Sequence, residues 1–156
     1  MVRFVAADPE EPPASELLAE MEVELNELYW TSSRLDLPRV EAAELRAPGG
    51  IYLVGWEGPS AVAGGGLRHL DEGLAEVKRM FVRPQARSRG IAGQLLAALE
   101  DSARSLGYRR ARLDTGPKQM HAVRLYERSG YRPIEPYNDN PFASFFGEKD
   151  LEPPGR

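Results

Sequence analysis

Hydrophobic and polar positions along this chain change period several times, and each change marks an element. Residues 3–6 form a short apolar run that predicts a first strand, and three prolines between residues 8 and 13 make the loop after it. From 14 to 30, Leu17, Leu18, Met21, Leu25 and Leu28 recur on one helical face, with Glu16, Glu20, Glu24 and Glu27 on the other. That period predicts an amphipathic helix. A loop over 31–36 leads to a short second helix over 38–45, opened by Pro38 and closed by Pro48-Gly49-Gly50. Residues 51–56 and 60–67 then read as a hairpin around Glu57-Gly58-Pro59-Ser60. Gly64-Gly65-Gly66 weakens the second of these strands and implies a bulge or a close backbone approach.

The strand predicted over 74–82 has a broken pattern. Ala75 and Val77 alternate with Glu76 and Lys78, but Arg79 then falls on the apolar face and Met80, Phe81 and Val82 follow. A buried strand tolerates charges on both faces only if they are paired or face a site. A bulge or splay near Arg79 reconciles the pattern. A third helix over 90–106 places Ile91, Leu95, Leu99 and Leu106 in one stripe, with Leu96 and Ala103 beside it and Gly107 as its stop. A strand over 109–115, a fourth helix over 119–129 and two last strands over 131–135 and 144–151 complete the domain, leaving 152–156 as a disordered tail. The strand before the third helix and the strand after it form a β-α-β unit and should run parallel.

The start of the third helix is chemically unusual. Helix N-termini attract acids because their N–H groups carry partial positive charge. Here the first turn has none, and Arg87, Ser88 and Arg89 precede Gly90, Ile91, Ala92 and Gly93. Small residues leave main-chain N–H groups accessible, so the stretch suits an anion such as a phosphate or pyrophosphate. Charge along the chain agrees. Residues 1–50 hold 4 basic and 11 acidic residues (−7), and residues 76–132 hold 13 basic and 5 acidic (+8). No basic helix stripe or aromatic–basic interleaving occurs, which points to a small polyanion rather than nucleic acid.

Composition narrows the class further. The 156 residues suit one domain, and 42% apolar with 28% charged residues is an ordinary globular balance. With no cysteine, and only His69 and His121 far apart in sequence, disulfide, thiolate and local metal chemistry are not expected. No signal-like or long apolar segment occurs, so the reading is a cytoplasmic protein without a membrane span.

Two motifs together carry a family resemblance. Arg87-Ser88-Arg89-Gly90-Ile91-Ala92, preceded by Val82-Arg83-Pro84, fits Q/R-x-x-G-x-G/A. About 30 residues on, Ala122, Leu125, Tyr126, Gly130 and Tyr131 fit A-x-x-L-Y-x-x-x-G-Y/F. With the order of elements, they resemble the GNAT superfamily of acetyl-CoA-dependent N-acetyltransferases over nearly the whole chain. The resemblance implies a single α/β domain over 1–151, with a mostly antiparallel mixed sheet of about seven strands, a splayed parallel pair and four helices.

It also implies an acetyl-CoA site. Acetyl-CoA would lie where the fourth and fifth strands diverge, with main-chain groups of Met80, Phe81 and Val82 along its pantetheine arm. N–H groups from Arg89 to Gly93 would hold its pyrophosphate. Many members carry Asn where this chain has Gln119, which offers the same amide chemistry. Tyr126 is the candidate general acid, since expelling a thiolate requires a proton donor and members use the tyrosine at this position. Glu76, on the fourth strand as in some members, is the candidate base, with an ion pair to Lys78 or Arg79 as its structural alternative. Asp139 is a second base candidate, Tyr137 and Trp30 are candidate acceptor-pocket residues, and His121 lies beside the cofactor helix.

The expected acceptor is a small-molecule amine, cationic because the acidic first helix would lie apart from the basic cofactor half and draw it in. A protein N-terminal or lysine acetyltransferase and a non-catalytic acyl-CoA-binding module stay open, as does a homodimer.

Overall fold

The computed structural model describes residues 1–29, 42–116 and 119–152. Its strands are β1 (Arg3–Ala6), β2 (Ile51–Glu57), β3 (Ser60–Asp71), β4 (Leu74–Val82), β5 (Arg110–Thr115), β6 (Arg132–Pro133) and β7 (Phe145–Asp150). They form one sheet in the order β1-β2-β3-β4-β5-β7-β6. Every pairing is antiparallel except β4 with β5. The α-helices among the described residues are α1 (Ala14–Tyr29), α2 (Ile91–Ser105) and α3 (Met120–Arg128). Trp30, the 31–36 loop, the start of the helix expected over 38–45 and the tail beyond 152 lie outside the described residues. The described end of that expected helix, Ala42–Leu45, is a 3₁₀ turn. Among the described residues no helix is long and apolar enough to cross a membrane.

The periodicities explain the layers. Ile91, Leu95, Leu96, Leu99 and Ala103 of α2 are buried against Leu67, Ala75, Val77, Ala111 and Leu113 of the sheet. Each large apolar side chain removed from water there stabilises the fold by about 1.5–3 kcal/mol. Leu106, expected in this stripe, is instead exposed, because α2 ends at Ser105 and Gly107 turns the chain away at φ 94°. On the other face, Ala14 and Leu17 of α1 pack with Leu45, Tyr52, Val54, Ala61 and Phe81. Gly64 permits that packing: a Cβ there would stand 2.3 Å from the Tyr52 hydroxyl oxygen. The glycine run therefore lies inside a strand longer than the pattern predicts. β6 is shorter than predicted. It pairs Arg132 with Glu148 and Pro133 with Gly147, and one further bond, from the Ile134 N–H to Phe146 O at 2.8 Å, follows before the chain leaves the sheet.

Away from α2, one face of the sheet carries a row of charges. Arg68, Glu76, Arg112, Glu148 and Arg132 are successive cross-strand neighbours on β3, β4, β5, β7 and β6. Their signs alternate. Arg68 Nε donates to Glu76 at 2.7 Å, Arg112 Nε to Glu148 at 2.8 Å, and Arg132 Nη2 to Glu148 at 2.5 Å.

Candidate active site

The broken pattern in β4 is a bulge. Lys78 pairs with Gly66 and Phe81 with Gly64, so Arg79 and Met80 together oppose Gly65. Arg79 has φ 60°, a left-handed conformation that costs a non-glycine residue on the order of 1–3 kcal/mol and clusters at functional sites. On its other edge β4 pairs with β5 only from Leu74 to Glu76. Beyond that point β4 follows β3 while β5 follows β7 up to Thr115, so the two strands fork. The fork leaves the main chain of Met80, Phe81 and Val82 with an edge that no strand among the described residues covers. The cleft it opens is lined by Val77, Lys78, Arg79 and Met80 from β4, Asp114 and Thr115 from β5, and Gln119 and Tyr126 from the α3 segment. Met21 and Leu25 of α1 and Asn140 and Phe142 of the β6–β7 loop complete the wall.

Tyr126 lies on the α3 face that packs toward β4. Its ring is held by Tyr131 and Phe145, with centroids 6.1 and 6.4 Å away, and its hydroxyl donates weakly to Met80 Sδ at 4.0 Å. Only 8% of the residue is exposed. Burial, reinforced by the Asp114 carboxylate, pushes the phenol up to about 12, so it keeps its proton at neutral pH.

Between β4 and α2, Ser88 (φ 64°) and Gly90 (φ 78°) adopt left-handed conformations that turn the chain into the helix. Gly90 is the N-cap, no side chain caps the helix, and its first turn holds no acid. The first N–H groups of the helix have no acceptor within it. This arrangement fits an anion. Ile91 is buried, Ala92 and Gly93 are half-buried, and the Gly93 position would accept a Cβ at ordinary contact with Leu125.

Arg87 and Arg89 are held in place by partners. Arg87 donates to Glu24 at 2.6 Å and to Val82 O at 2.8 Å, stacking on Phe81, while Arg89 pairs with Glu57. Arg83 likewise pairs with Glu20 at 2.6 Å. The acids of α1 thus lie against the basic loop. This corrects the expectation that the acidic helix and the basic half lie apart.

The expected base, Glu76, has no exposed surface and is not part of the cleft wall. Its Oε1 accepts from Arg68, and its Oε2 accepts from the Tyr137 hydroxyl at 2.6 Å and Asn138 Nδ2 at 3.4 Å. Lys78 stands 3.5 Å away, so the ion pair forms with Arg68 and Lys78, not Arg79. Tyr137 seals Glu76 in rather than lining the cleft, its ring fixed by Arg112 at 5.2 Å and Phe146 at 5.6 Å. The Gln119 side-chain oxygen accepts from the Gly116 N–H at 3.1 Å, which ties down the segment before α3. Asp139 and His121 are exposed.

Asp114 went unnoticed in the sequence. It accepts from Asn138 Nδ2 at 2.5 Å, from Lys78 Nζ at 3.4 Å and from Asn140 Nδ2 at 3.5 Å. The available signal was its place on β5, two residues beyond Arg112 on the same face.

The acetyltransferase (GNAT) family model matches residues 16–131. The chain belongs to this family. It is 33% identical over 156 residues to the IAA acetyltransferase of Azospirillum brasilense, covering 96% of this chain and 98% of that protein. A GNAT-family acetyltransferase of Staphylococcus aureus Mu50 shares the fold with a TM-score of 0.81 at 21% identity, over 97% of this chain and all (100%) of that one. A GNAT-family acetyltransferase of Elizabethkingia anophelis, solved with acetyl-CoA bound, gives a TM-score of 0.67 at 19% identity, over 96% of this chain and 98% of that one. The GNAT protein described here is therefore an acetyl-CoA-dependent acyltransferase, built on the expected single α/β domain with its forked parallel pair.

Proposed function

We propose that this enzyme transfers the acetyl group of acetyl-CoA to a primary amine of a small molecule, by direct attack within a ternary complex. The observation that carries the reading is a buried, protonated phenol, Tyr126, facing the fork between β4 and β5. The N–H groups from Arg89 through Gly93 would hold the pyrophosphate, with Arg87 and Ser88 flanking it. Main-chain groups of Met80, Phe81 and Val82 would run along the pantetheine arm, and Gln119 would border it. Bound there, acetyl-CoA supplies an acyl group already activated as a thioester.

The chain's own work is to hold the amine beside that thioester, which replaces a bimolecular encounter by a positioned one. A main-chain N–H near Phe81 or Val82 polarises the carbonyl as negative charge develops on its oxygen. Tyr126 gives its proton to the departing sulfur. Glu76 acts from behind, holding Lys78 and Tyr137 in place. The acceptor arrives as a cation, because the polar wall on its side of the fork includes the buried Asp114 carboxylate. Thiol release from acetyl-CoA should follow addition of a small primary amine, with one acetyl group gained in the product mass. Acetyl-CoA binding without release on any amine, or release with peptides alone, would overturn the proposal.

A further inference from the structure

The fork places one carboxylate where an acceptor amine must arrive. On β4 and β5 the last cross-strand pair is Glu76 with Arg112. The next residues on the same face, Lys78 and Asp114, have already separated with their strands and meet only through their side chains, at 3.4 Å. Asp114 lines the cleft with Tyr126, yet only 7% of its side chain is exposed. A carboxylate buried that far needs compensation. Two of its three partners are neutral amides, Asn138 and Asn140. The remaining partner, Lys78, is long for a charge-assisted bond, which typically measures about 2.7–2.9 Å, and is shared with Glu76 at 3.5 Å. Asp114 thus has amide donors to orient it and, among the described residues, no ion-pair partner closer than Lys78, with the Arg79 charge acting alongside. Glu76 is the reverse case: it is sealed by Tyr137 and bound by Arg68 at 2.7 Å.

Building on the acetyl-transfer reading above, we propose that Asp114 binds the acceptor's ammonium and takes its first proton. The ammonium enters between Asp114 and the fork and completes the charge that Lys78 satisfies only at a distance. One N–H proton passes to the Asp114 carboxylate, and the freed lone pair attacks the thioester carbonyl carbon. The C–N bond forms and the C–S bond breaks. The sulfur takes the Tyr126 hydroxyl proton, and Tyr126 recovers its proton from the nitrogen, which keeps one hydrogen as the amide. Asp114 releases its proton to solvent. The charge of Asp114 reaches the Tyr126 phenol, which places acid and base on one cleft.

The test is Asp114→Asn, an isosteric change, beside Glu76→Gln. Acetyl-CoA binding is followed by calorimetry, and turnover is read with ethanolamine, spermidine, glycine and aminomethylphosphonate as probes. For the best acceptor, Asp114→Asn should lower kcat/KM by about 10²-fold or more at neutral pH, the usual worth of a general base. Acetyl-CoA affinity should stay within about twofold, since Asp114 is not among the groups proposed to hold it. The loss should shrink as pH rises, because an amine that is already neutral needs no base. Groups facing Asp114 are Glu76, Lys78 and Arg79 from β4, Tyr126 from α3, and Tyr137, Asn138 and Asn140 from the β6–β7 loop. They are the same in both proteins, so the difference between the two profiles isolates Asp114. Glu76→Gln should cost less than Asp114→Asn and show no such recovery at high pH.

A folded Asp114→Asn enzyme with wild-type kcat/KM, or a deficit equal at every pH, overturns the assignment while leaving the acetyl-transfer reading intact. Wild-type protein that binds acetyl-CoA but acetylates none of these probes or a peptide panel overturns both.

Discussion

Replacing Tyr126 by Phe should separate activity from stability. A buried tyrosine hydroxyl in a good hydrogen bond typically contributes about 0.5–1.5 kcal/mol. Here the partner among the described residues is Met80 Sδ at 4.0 Å, a weak acceptor at long range. The hydroxyl is nonetheless buried, and the same burial drives its pKa up to about 12. Removing it therefore gives up little bonding and relieves a desolvated polar group, so the expected change in folding stability lies between zero and about 1 kcal/mol in favour of Phe. The ring contacts to Tyr131 and Phe145 do not involve the hydroxyl and persist. Turnover should fall by about 10²–10⁴-fold, the range for a general acid, with acetyl-CoA affinity nearly unchanged.

The pH response of the wild type follows from the same shift. An acid must be protonated to act, so its contribution is present below its pKa and lost above it. With the phenol near 12, no loss from Tyr126 should appear between pH 6 and 10. Chemical melts of both proteins, paired with thiol release under conditions where chemistry limits the rate, make the measurement. A folded Phe variant turning over at the wild-type rate would refute the role, and one destabilised by more than about 2 kcal/mol would refute the picture of a poorly bonded hydroxyl.

Three further outcomes are expected. Gly90→Asp, which places a carboxylate at an uncapped helix start in a left-handed residue, should strongly weaken acetyl-CoA binding by calorimetry while the far-ultraviolet circular dichroism stays that of the wild type. Tyr52→Phe removes a buried hydroxyl with no hydrogen-bond partner among the described residues, and denaturant melts should show unchanged or higher stability, by up to about 1 kcal/mol; a loss of 2 or more would contradict it. Glu57→Gln frees Arg89 from its partner, and acetyl-CoA should bind about threefold tighter at low salt, with the gain fading as salt is raised.

Much of this architecture was legible because it rests on local pattern. Strands β1 and β4 have the boundaries that the apolar pattern predicts, and the misplaced Arg79 announced the bulge. Gly90 and the acid-free first turn announced a helix start that no side chain caps. What escaped was cross-strand. Nothing in the spacing of Glu76 says that Tyr137, 61 residues away, closes over it. Asp114 looks like one more polar strand position until β4 and β5 are seen to part beside it. Arg87 and Arg89 read as positive groups awaiting an anion because their partners, Glu24 and Glu57, come from distant elements. Period shows which face a side chain takes; it does not show what stands opposite.

The alternating charges across the sheet have a bearing on how the cleft keeps its shape. The row crosses β4 and β5 at Glu76 and Arg112, the last pair before the strands part. A one-residue slip of either strand would turn its charges into the apolar layer beneath α2, and a two-residue slip of β5 could set Glu76 against Asp114, carboxylate to carboxylate. The crotch of the fork is thus riveted at one position along both strands. Because Lys78 and Asp114 project from the first step beyond that rivet, the width of the cleft is fixed from below, by residues outside its wall.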